Sequence, residues 1–545
     1  MQQTGSGGQA LGAALVHEGV DSVFALPGVQ LDWAFDGLYE QREHVRVYHT
    51  RHEQTTAYMA DGYARTTGRV GVCMVVPGPG VLNAGAGLAT AYACSSPVLC
   101  VTGQIDSRAI GRELGLLHEV RNQDAVLASV TQRTLRALGI SDIAGLVHEA
   151  FATLCRGRPR PVALEVPPDV LMATGNYTLS QPAQASATAA EPDLVRAAAE
   201  RLRRAERPVI YSGGGTLASG AWAELQRLAE ALEAPVVMSV DGRGALSDRH
   251  DLAHTGLTGE ALLQTADLVL AVGTRFWIPA RVWGVTCDVI RIDADAAEVR
   301  RHGQAAIGIV ADARSALASL CEALGDIGKR KSRRAELRMM KDAAVRRLEE
   351  FQPQARFTAA IRAGLPDDAI TVNDLTQVTF FGTIGLPIYA PRTFIGPGYQ
   401  GTLGSAFATA LGAQVGNPDR VVVAIAGDGG FMYTLAELAT QRQHELPVIS
   451  IVFNDSAFGN VKRTQQLQFG GRLIGSELIN PDFVAVARAF GIDAERVEAP
   501  TGLEGALRSA VAARRPALIE VTVGAMSNVF PLAGRAGGLY PVLLD

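Results

Sequence analysis

Two acidic residues and a run of glycines carry the first chemistry visible in this chain. The stretch VVVAIA-GDGG-FMYTLAELATQRQHELP-VISIVF-NDSAFG (421–459) puts Asp428 just past one apolar, β-branched run and Asn454 with Asp455 just past a second. Both runs, 421–426 and 448–453, read as strands buried on both faces, and 431–444 has helical length and spacing between them. A right-handed crossover brings the two strand ends to one sheet edge, where open α/β sheets bind ligands. Asp428 and Asp455 then converge. With a loop carbonyl they suit octahedral Mg²⁺, which keeps some water and takes further ligands from phosphates. Gly429 and Gly430 would let backbone amides approach those phosphates at a helix N-terminus. The unit predicts a metal and a diphosphate; taken alone, it equally fits a capped glycine turn between two ordinary strands.

The elements that must position such a site are legible as three segments. At 545 residues the chain is too long for one core. From 1 to 173, short apolar runs alternate with helical stretches: DSVFALPG, GVCMVVPGPG, PVLCVTG and PVALEVP. The stretch 174–192 (TGNYTLSQPAQASATAAEP) has neither helical nor strand period and reads as a linker. A second α/β run follows over 190–325, with strands expected at PVIYSGG, PVVMSV, LVLAVG, VIRIDAD and IGIVAD. A charged helical connection leads to the third segment, 355–545, which holds ITVNDL, the glycine turn and ALIEVTV. Each segment alternates strands and helices, which predicts parallel sheets covered by helices, and the first and third look alike in layout.

Composition narrows the partners. A net charge of −5 and 19% charged residues, without long runs of one sign, argue against nucleic acid and against an anionic membrane, leaving a small molecule. Six cysteines show no CxxC pairing and no His at ligand spacing, so they read as small core residues in a reducing compartment. The first twenty residues lack a basic n-region, and no apolar run approaches membrane-spanning length. The expectation is a cytoplasmic protein.

The GDG turn followed by an Asn-Asp pair resembles the thiamine diphosphate signature, which usually has Asn where this chain has Asp455. The resemblance implies Asp428, the Asp455 side chain and the Ala457 carbonyl as Mg²⁺ ligands. Three further stretches are similar to the acetohydroxyacid (acetolactate) synthase-like branch of these enzymes. In HTRHEQTTAYMADGYARTTG, Glu53 stands where that branch carries the carboxyl group that shares a proton with the cofactor's pyrimidine ring. In GVCMVVPGPGVLNA, Pro79 opens a helix and Asn83 would lie near the pyrimidine; Gly28, closing the first strand, belongs to the same set. In FIGPGYQGTLGSAFATALGAQ, Leu403 holds the place of the apolar wedge under the bent cofactor, and Gly401 would offer its carbonyl to the 4′-amino group. NDLTQV resembles a loop that reaches the diphosphate, through Gln377, while Phe458, Gly459 and Asn460 continue the metal loop toward the cofactor.

The implied fold is three doubly wound parallel-sheet domains: pyrimidine-binding, central and diphosphate-binding. The resemblance also implies a site shared between two subunits, hence a homodimer at minimum and a homotetramer in many relatives. The implied chemistry makes or breaks a carbon–carbon bond next to a carbonyl, on a 2-oxo acid or a 2-hydroxy acyl or acyloin substrate. His118, in GLLHEVRNQ, aligns with a glutamine that relatives use above the thiazolium, and Gln123 is nearby. Paired histidines of the pyruvate decarboxylase type are missing from the PGPG loop, so ligation or its reverse is favoured over simple decarboxylation. Asn460 and Thr464 stand where acetolactate synthase has Met and Trp, which suggests a wider and more polar substrate pocket. The central GTRF and RIDAD phrases leave FAD or an adenine nucleotide open without predicting either. A 2-hydroxyacyl-CoA lyase or oxalyl-CoA decarboxylase type of enzyme, a flavin-dependent 2-oxo acid oxidase and a non-catalytic cofactor-binding homologue stay as alternatives.

Overall fold

The structure is a computed structural model that describes residues 2–184, 187–301 and 305–537. It contains three six-stranded sheets, and every pairing within them is parallel. Strands such as Val98–Gly103 and Leu268–Val272 are buried along their whole length, as parallel strands covered on both faces must be. The α/β expectation of three parallel-sheet domains is met.

The first sheet runs Arg46–His49, Ser22–Ala25, Gly71–Val75, Val98–Gly103, Val162–Val166, Arg133–Arg136. The third runs Phe394–Ile395, Ile370–Asn373, Val422–Gly427, Ile449–Asn454, Ala517–Thr522, Asp493–Val497. Counted along the chain, both follow the order 2-1-3-4-6-5, so the likeness of layout between these two segments is a likeness of topology. The central sheet instead follows 3-2-1-4-5-6, from Ala253–Thr255 at one edge to Ile307–Val310 at the other.

The first and third sheets are joined through helices Glu53–Thr67 and Ala406–Gly416. Their backbones approach so closely that a Cβ on Gly62 would lie 2.0 Å from the Thr409 carbonyl oxygen, and one on Gly412 1.9 Å from that of Met59. Phe24, Met59 and Cys100 of the first segment share one core with Phe407, Phe431 and Phe483 of the third. Cys73 and Cys100 are buried, and none of the six cysteines is in a disulfide.

Two expectations are corrected. Residues 174–178 are not linker: Thr174–Thr178 pairs antiparallel with Gln2–Ser6 and ties the end of the first segment to its beginning. Of that linker, 185–186 lie outside the described residues, as do residue 1 and the final 538–545 of the segments drawn from sequence. The crossover helix expected over 431–444 is broken into a short turn of helix Asp428–Phe431, a 3₁₀ turn Leu435–Glu437 and a helix Leu438–Gln443. The break occurs where Tyr433 packs on Gly404 and the Thr434 hydroxyl donates to the Gly404 carbonyl, a tertiary contact that overrides helical spacing.

Candidate functional site

The register of the third sheet aligns Gly427 with Phe453, so Asp428 and Asp455 emerge side by side at the carboxyl edge. Asp428 is only 2% exposed. Its Oδ2 accepts from Asn480 Nδ2 at 2.6 Å, and the backbone N–H groups of Gly429, Ala457 and Ser456 also face its carboxylate. Burial pushes the Asp428 carboxyl above its usual range despite those donors. Asp455 is pushed up to about 6, first by burial and then by the charge of Asp428. Neither carboxylate has an ion-pair partner among the described residues, while Lys462 and the Arg463 guanidinium act on Asp455 from farther off.

Two crowded carboxylates without a counter-ion fit a hard divalent cation, with the Ala457 carbonyl as a third protein donor and water and phosphate oxygens completing an octahedron. Among the described residues, no group of three or more His, Cys, Asp or Glu side chains gathers for a metal.

The glycine turn is a cradle whose walls can be named. A Cβ on Gly430 would meet Asp374 Oδ2 at 2.6 Å and Leu403 Cδ1 at 3.2 Å. On Gly429 it would meet the Phe458 ring at 2.6 Å and Leu478 at 3.1 Å, and on Gly459 it would meet Asp455 Oδ2 at 2.6 Å. Leu403, Phe458 and Gly459 are therefore brought to the turn. The helix after Asp428 is four residues long, so the long helix N-terminus expected at the turn is not formed. Gln377 begins helix Gln377–Gly385, is 9% exposed, and its Oε1, an acceptor, has no hydrogen-bond partner. Gly401 has φ of 60°, a left-handed conformation that glycine adopts without strain. Asn460 lines a cavity of about 1370 Å³ that also reaches Gly401, Asp374 and the central-domain strand ends at Gly213 and Gly273. The Thr464 hydroxyl donates to the Asn460 carbonyl at 3.1 Å, so it is bound within its own helix.

The first segment carries a second half-site. Glu53 opens helix Glu53–Thr67, Pro79 opens helix Pro79–Cys94, and the two elements pack so that Asn83 Nδ2 donates to Glu53 Oε2 at 3.0 Å. Glu53 is partly exposed in the single chain. Gly28 packs against Val76, where a Cβ would meet Cγ1 at 2.4 Å. His118 has φ of 65°, and its Nδ1 donates to Gln30 Oε1 at 2.9 Å. Gln30 Nε2 donates in turn to the Leu117 carbonyl at 3.0 Å, which fixes both side chains. Gln123, expected beside His118 as a second polar group, turns into the fold instead. It is 3% exposed, its Oε1 accepts from Gly78 N–H at 2.8 Å, and its Nε2 donates to Gly103 O and Glu165 Oε1. It shapes the PGPG turn. No hydrogen bond or ion pair among the described residues joins Glu53 to the Asp428 half of the same chain.

Sequence reasoning passed over Asp374, Asn480, Arg463 and Gln30. Asp374, in the very loop searched for a diphosphate contact, is 2% exposed and accepts from Leu375 N–H and Gly404 N–H at 2.9 and 2.8 Å; burial lifts it to about 6. An acid directly after a strand, in the same loop as Gln377, was the available signal. Asn480 had none, because it arrives through pairing of its segment with the metal loop: Phe458 N–H donates to Ser476 O and Leu478 N–H to Ser456 O.

The chain is a parallel α/β protein whose strand ends gather two carboxylates and a glycine cradle, with a Glu–Asn pair in the first segment. Comparison with known proteins identifies the cofactor. Residues 5–126 match the N-terminal thiamine pyrophosphate-binding domain of thiamine pyrophosphate enzymes, 195–320 their central domain, and 374–521 their C-terminal thiamine pyrophosphate-binding domain. The chain is 36% identical over 543 residues to a probable 2-ketoarginine decarboxylase of Pseudomonas aeruginosa, covering 95% of this chain and 94% of that one. It is 31% identical over 569 residues to a probable acetolactate synthase large subunit of Methanocaldococcus jannaschii, covering 98% and 95%. To the acetolactate synthase isozyme 3 large subunit of Escherichia coli it is 31% identical over 572 residues, covering 99% and 98%. The chain belongs to the thiamine diphosphate-dependent enzymes, in their acetolactate synthase-like branch.

Proposed function

We propose that this enzyme, with Mg²⁺ and thiamine diphosphate, forms or cleaves a carbon–carbon bond next to the carbonyl of a 2-oxo acid or a related 2-hydroxy acyl or acyloin substrate. The observation that carries the reading is a pair of neighbouring carboxylates without a counter-ion among the described residues, Asp428 buried and Asp455 exposed at the sheet edge, beside a glycine cradle. Thiamine diphosphate, when bound, supplies a nucleophilic thiazolium carbon and a sink for the electrons of the broken bond. The protein's part is to bind and orient. Asp428, Asp455 and the Ala457 carbonyl would hold the metal, and the Gly429 and Gly430 amides with Gln377 would face the diphosphate. Leu403 would pack beneath the cofactor's rings, with the Gly401 carbonyl available to its pyrimidine. Glu53, kept in place by Asn83, would hold a proton for the cofactor. His118, fixed by Gln30, offers a polar group to the oxygen that gains charge on the substrate.

Because Glu53 and the Asp428 cradle are separate half-sites in one chain, two copies completing each other's sites is the reading that uses both, and it makes a homodimer the minimal enzyme. No helix among the described residues is long and apolar enough to cross a membrane. The cavity of about 1370 Å³ at the central strand ends has room for FAD or an adenine nucleotide; an absorption spectrum of the purified protein tests for flavin.

The similarity to a probable 2-ketoarginine decarboxylase favours a second reading, decarboxylation of a 2-oxo acid without a ligation partner. Product analysis over a panel of 2-oxo acids, with and without aldehyde acceptors and with acyl-CoA compounds, separates the two. A C–C coupled product supports ligation, and an aldehyde alone, unaffected by acceptors, supports decarboxylation. Glu53→Gln tests the mechanism: we expect cofactor binding to persist while exchange of the cofactor C2 proton and turnover are lost, and unchanged exchange would remove Glu53 from its role.

A further inference from the structure

The residues just before Glu53 are held by the third domain of the same chain through one buried acid. Glu437 is 1% exposed. Its two carboxylate oxygens accept from Arg51 N–H at 3.1 and 3.0 Å, and Oε1 also accepts from His52 N–H at 2.9 Å. The Thr440 hydroxyl donates to Oε2 at 2.5 Å. No Lys, Arg or His forms an ion pair with Glu437 among the described residues. A buried carboxylate satisfied by backbone amides instead of a cation is costly to desolvate, and its directionality is what distinguishes it from an ordinary staple.

That directionality is narrow. Both amides belong to the two residues preceding Glu53, and His52 is the N-cap of the helix that Glu53 opens. Neighbouring contacts hold the same short segment. Arg51 Nη2 donates to Gln443 Oε1 at 2.7 Å, and Gln54 Nε2 donates to the Tyr433 carbonyl at 3.0 Å. Glu53 therefore leaves a backbone fixed on both sides, by Glu437 before it and by Gln54 after it, with its own carboxyl held by Asn83. Removing the acceptor at Glu437 would leave two partly buried N–H donors without their partner and let the helix start shift, and a displacement of about 1 Å at a proton-transfer group costs on the order of 100-fold in rate.

We propose that Glu437 is a positioning residue for Glu53: its carboxylate fixes the peptide planes of Arg51 and His52, so that the Glu53 carboxyl is presented at a set height beside Asn83. The proposal rests on the reading of Glu53 as the group that exchanges a proton with the cofactor. Gln at 437 has nearly the same shape but turns an NH₂ toward one of the amides, so Glu437→Gln perturbs the hold without opening a cavity.

The test uses the full-length protein. In cofactor-free Glu437→Gln, deuterium uptake by the backbone amides of 50–54, read by mass spectrometry, should rise clearly above wild type. With thiamine diphosphate and Mg²⁺, kcat and C2 proton exchange should fall roughly 10- to 100-fold, while the cofactor Kd and the substrate KM change less than about threefold. Should that variant fail to fold, Thr440→Val, which removes one donor to Glu437, should give the same signature at smaller amplitude. Raised deuterium uptake with wild-type kcat and C2 exchange would overturn the proposal, leaving Glu437 a domain staple, as would a kcat loss recovered fully by excess cofactor. Glu53→Gln, measured in parallel, separates the two readings. If it keeps wild-type C2 exchange, the role of Glu53 fails; if it loses exchange while Glu437→Gln retains it, only the positioning role fails.

Discussion

The glycines of the 427–430 turn should differ sharply in their tolerance of a methyl group, and the order follows from what each Cβ would touch. At Gly427 the nearest atoms are Thr376 Cγ2 at 3.4 Å and Phe453 O at 4.0 Å, ordinary contacts. At Gly429 the obstacle is the edge of the Phe458 ring, 2.6 Å away, on a side chain that can swing. At Gly430 it is Asp374 Oδ2 at 2.6 Å, and that carboxyl is held by the Leu375 and Gly404 amides and cannot retreat without breaking them. All three have negative φ, so alanine meets no backbone strain and the contacts alone decide. Gly427→Ala should then be neutral or stabilising by about 0.4–1 kcal/mol through the unfolded chain. Gly430→Ala should lose about 1–3 kcal/mol by overpacking, roughly 5- to 150-fold in the local opening equilibrium, with Gly429→Ala between them. A three-domain chain has no single unfolding free energy, so the measurement is native-state hydrogen exchange of peptides covering 422–435 in the cofactor-free protein. Equal losses from Gly427→Ala and Gly430→Ala would refute the reasoning, since they would mean that some property other than these contacts controls the turn.

Asp374 carries a pH prediction. Burial raises its carboxyl to about 6 from 3.8, so the stability it contributes is complete below the lower value and is lost as pH rises through the upper one. In urea titrations of cofactor-free protein, wild type should lose ground against Asp374→Asn between pH 4 and 7; a pH-independent gap between the two would contradict this. Gly62→Ala and Gly412→Ala each drive a methyl into a facing backbone carbonyl and should destabilise the contact between first and third domains by at least about 1–3 kcal/mol, visible as faster exchange in 53–67 and 406–416. Asn480→Asp replaces a donor 2.6 Å from Asp428 with a third carboxylate, so Mg²⁺ should bind more tightly by calorimetry while the metal-free protein melts lower.

What the chain determined by itself is the part encoded locally. Central strands such as Val98–Gly103 and Ile449–Asn454 are buried on both faces and so are written as continuous apolar runs, and Asp428 and Asp455 are legible together because each lies directly past such a strand. Three edge strands were not legible: Arg46–His49, Arg133–Arg136 and Asp493–Val497 are partly exposed and carry charges, so they lack that signature and exist through pairing with their neighbours, whereas the apolar edge strand Ile307–Val310 was. The broken helix after Phe431 has the same origin, a contact with Gly404 far away in sequence. The inward turn of Gln123, the entry of Asn480 beside Asp428, the unpartnered Oε1 of Gln377 and the clamp of Glu437 on Arg51 and His52 were decided only by the tertiary structure. Sequence fixes which residue types are present at a strand end. Where a polar side chain points depends on which buried donors and acceptors the packed fold leaves for it to satisfy.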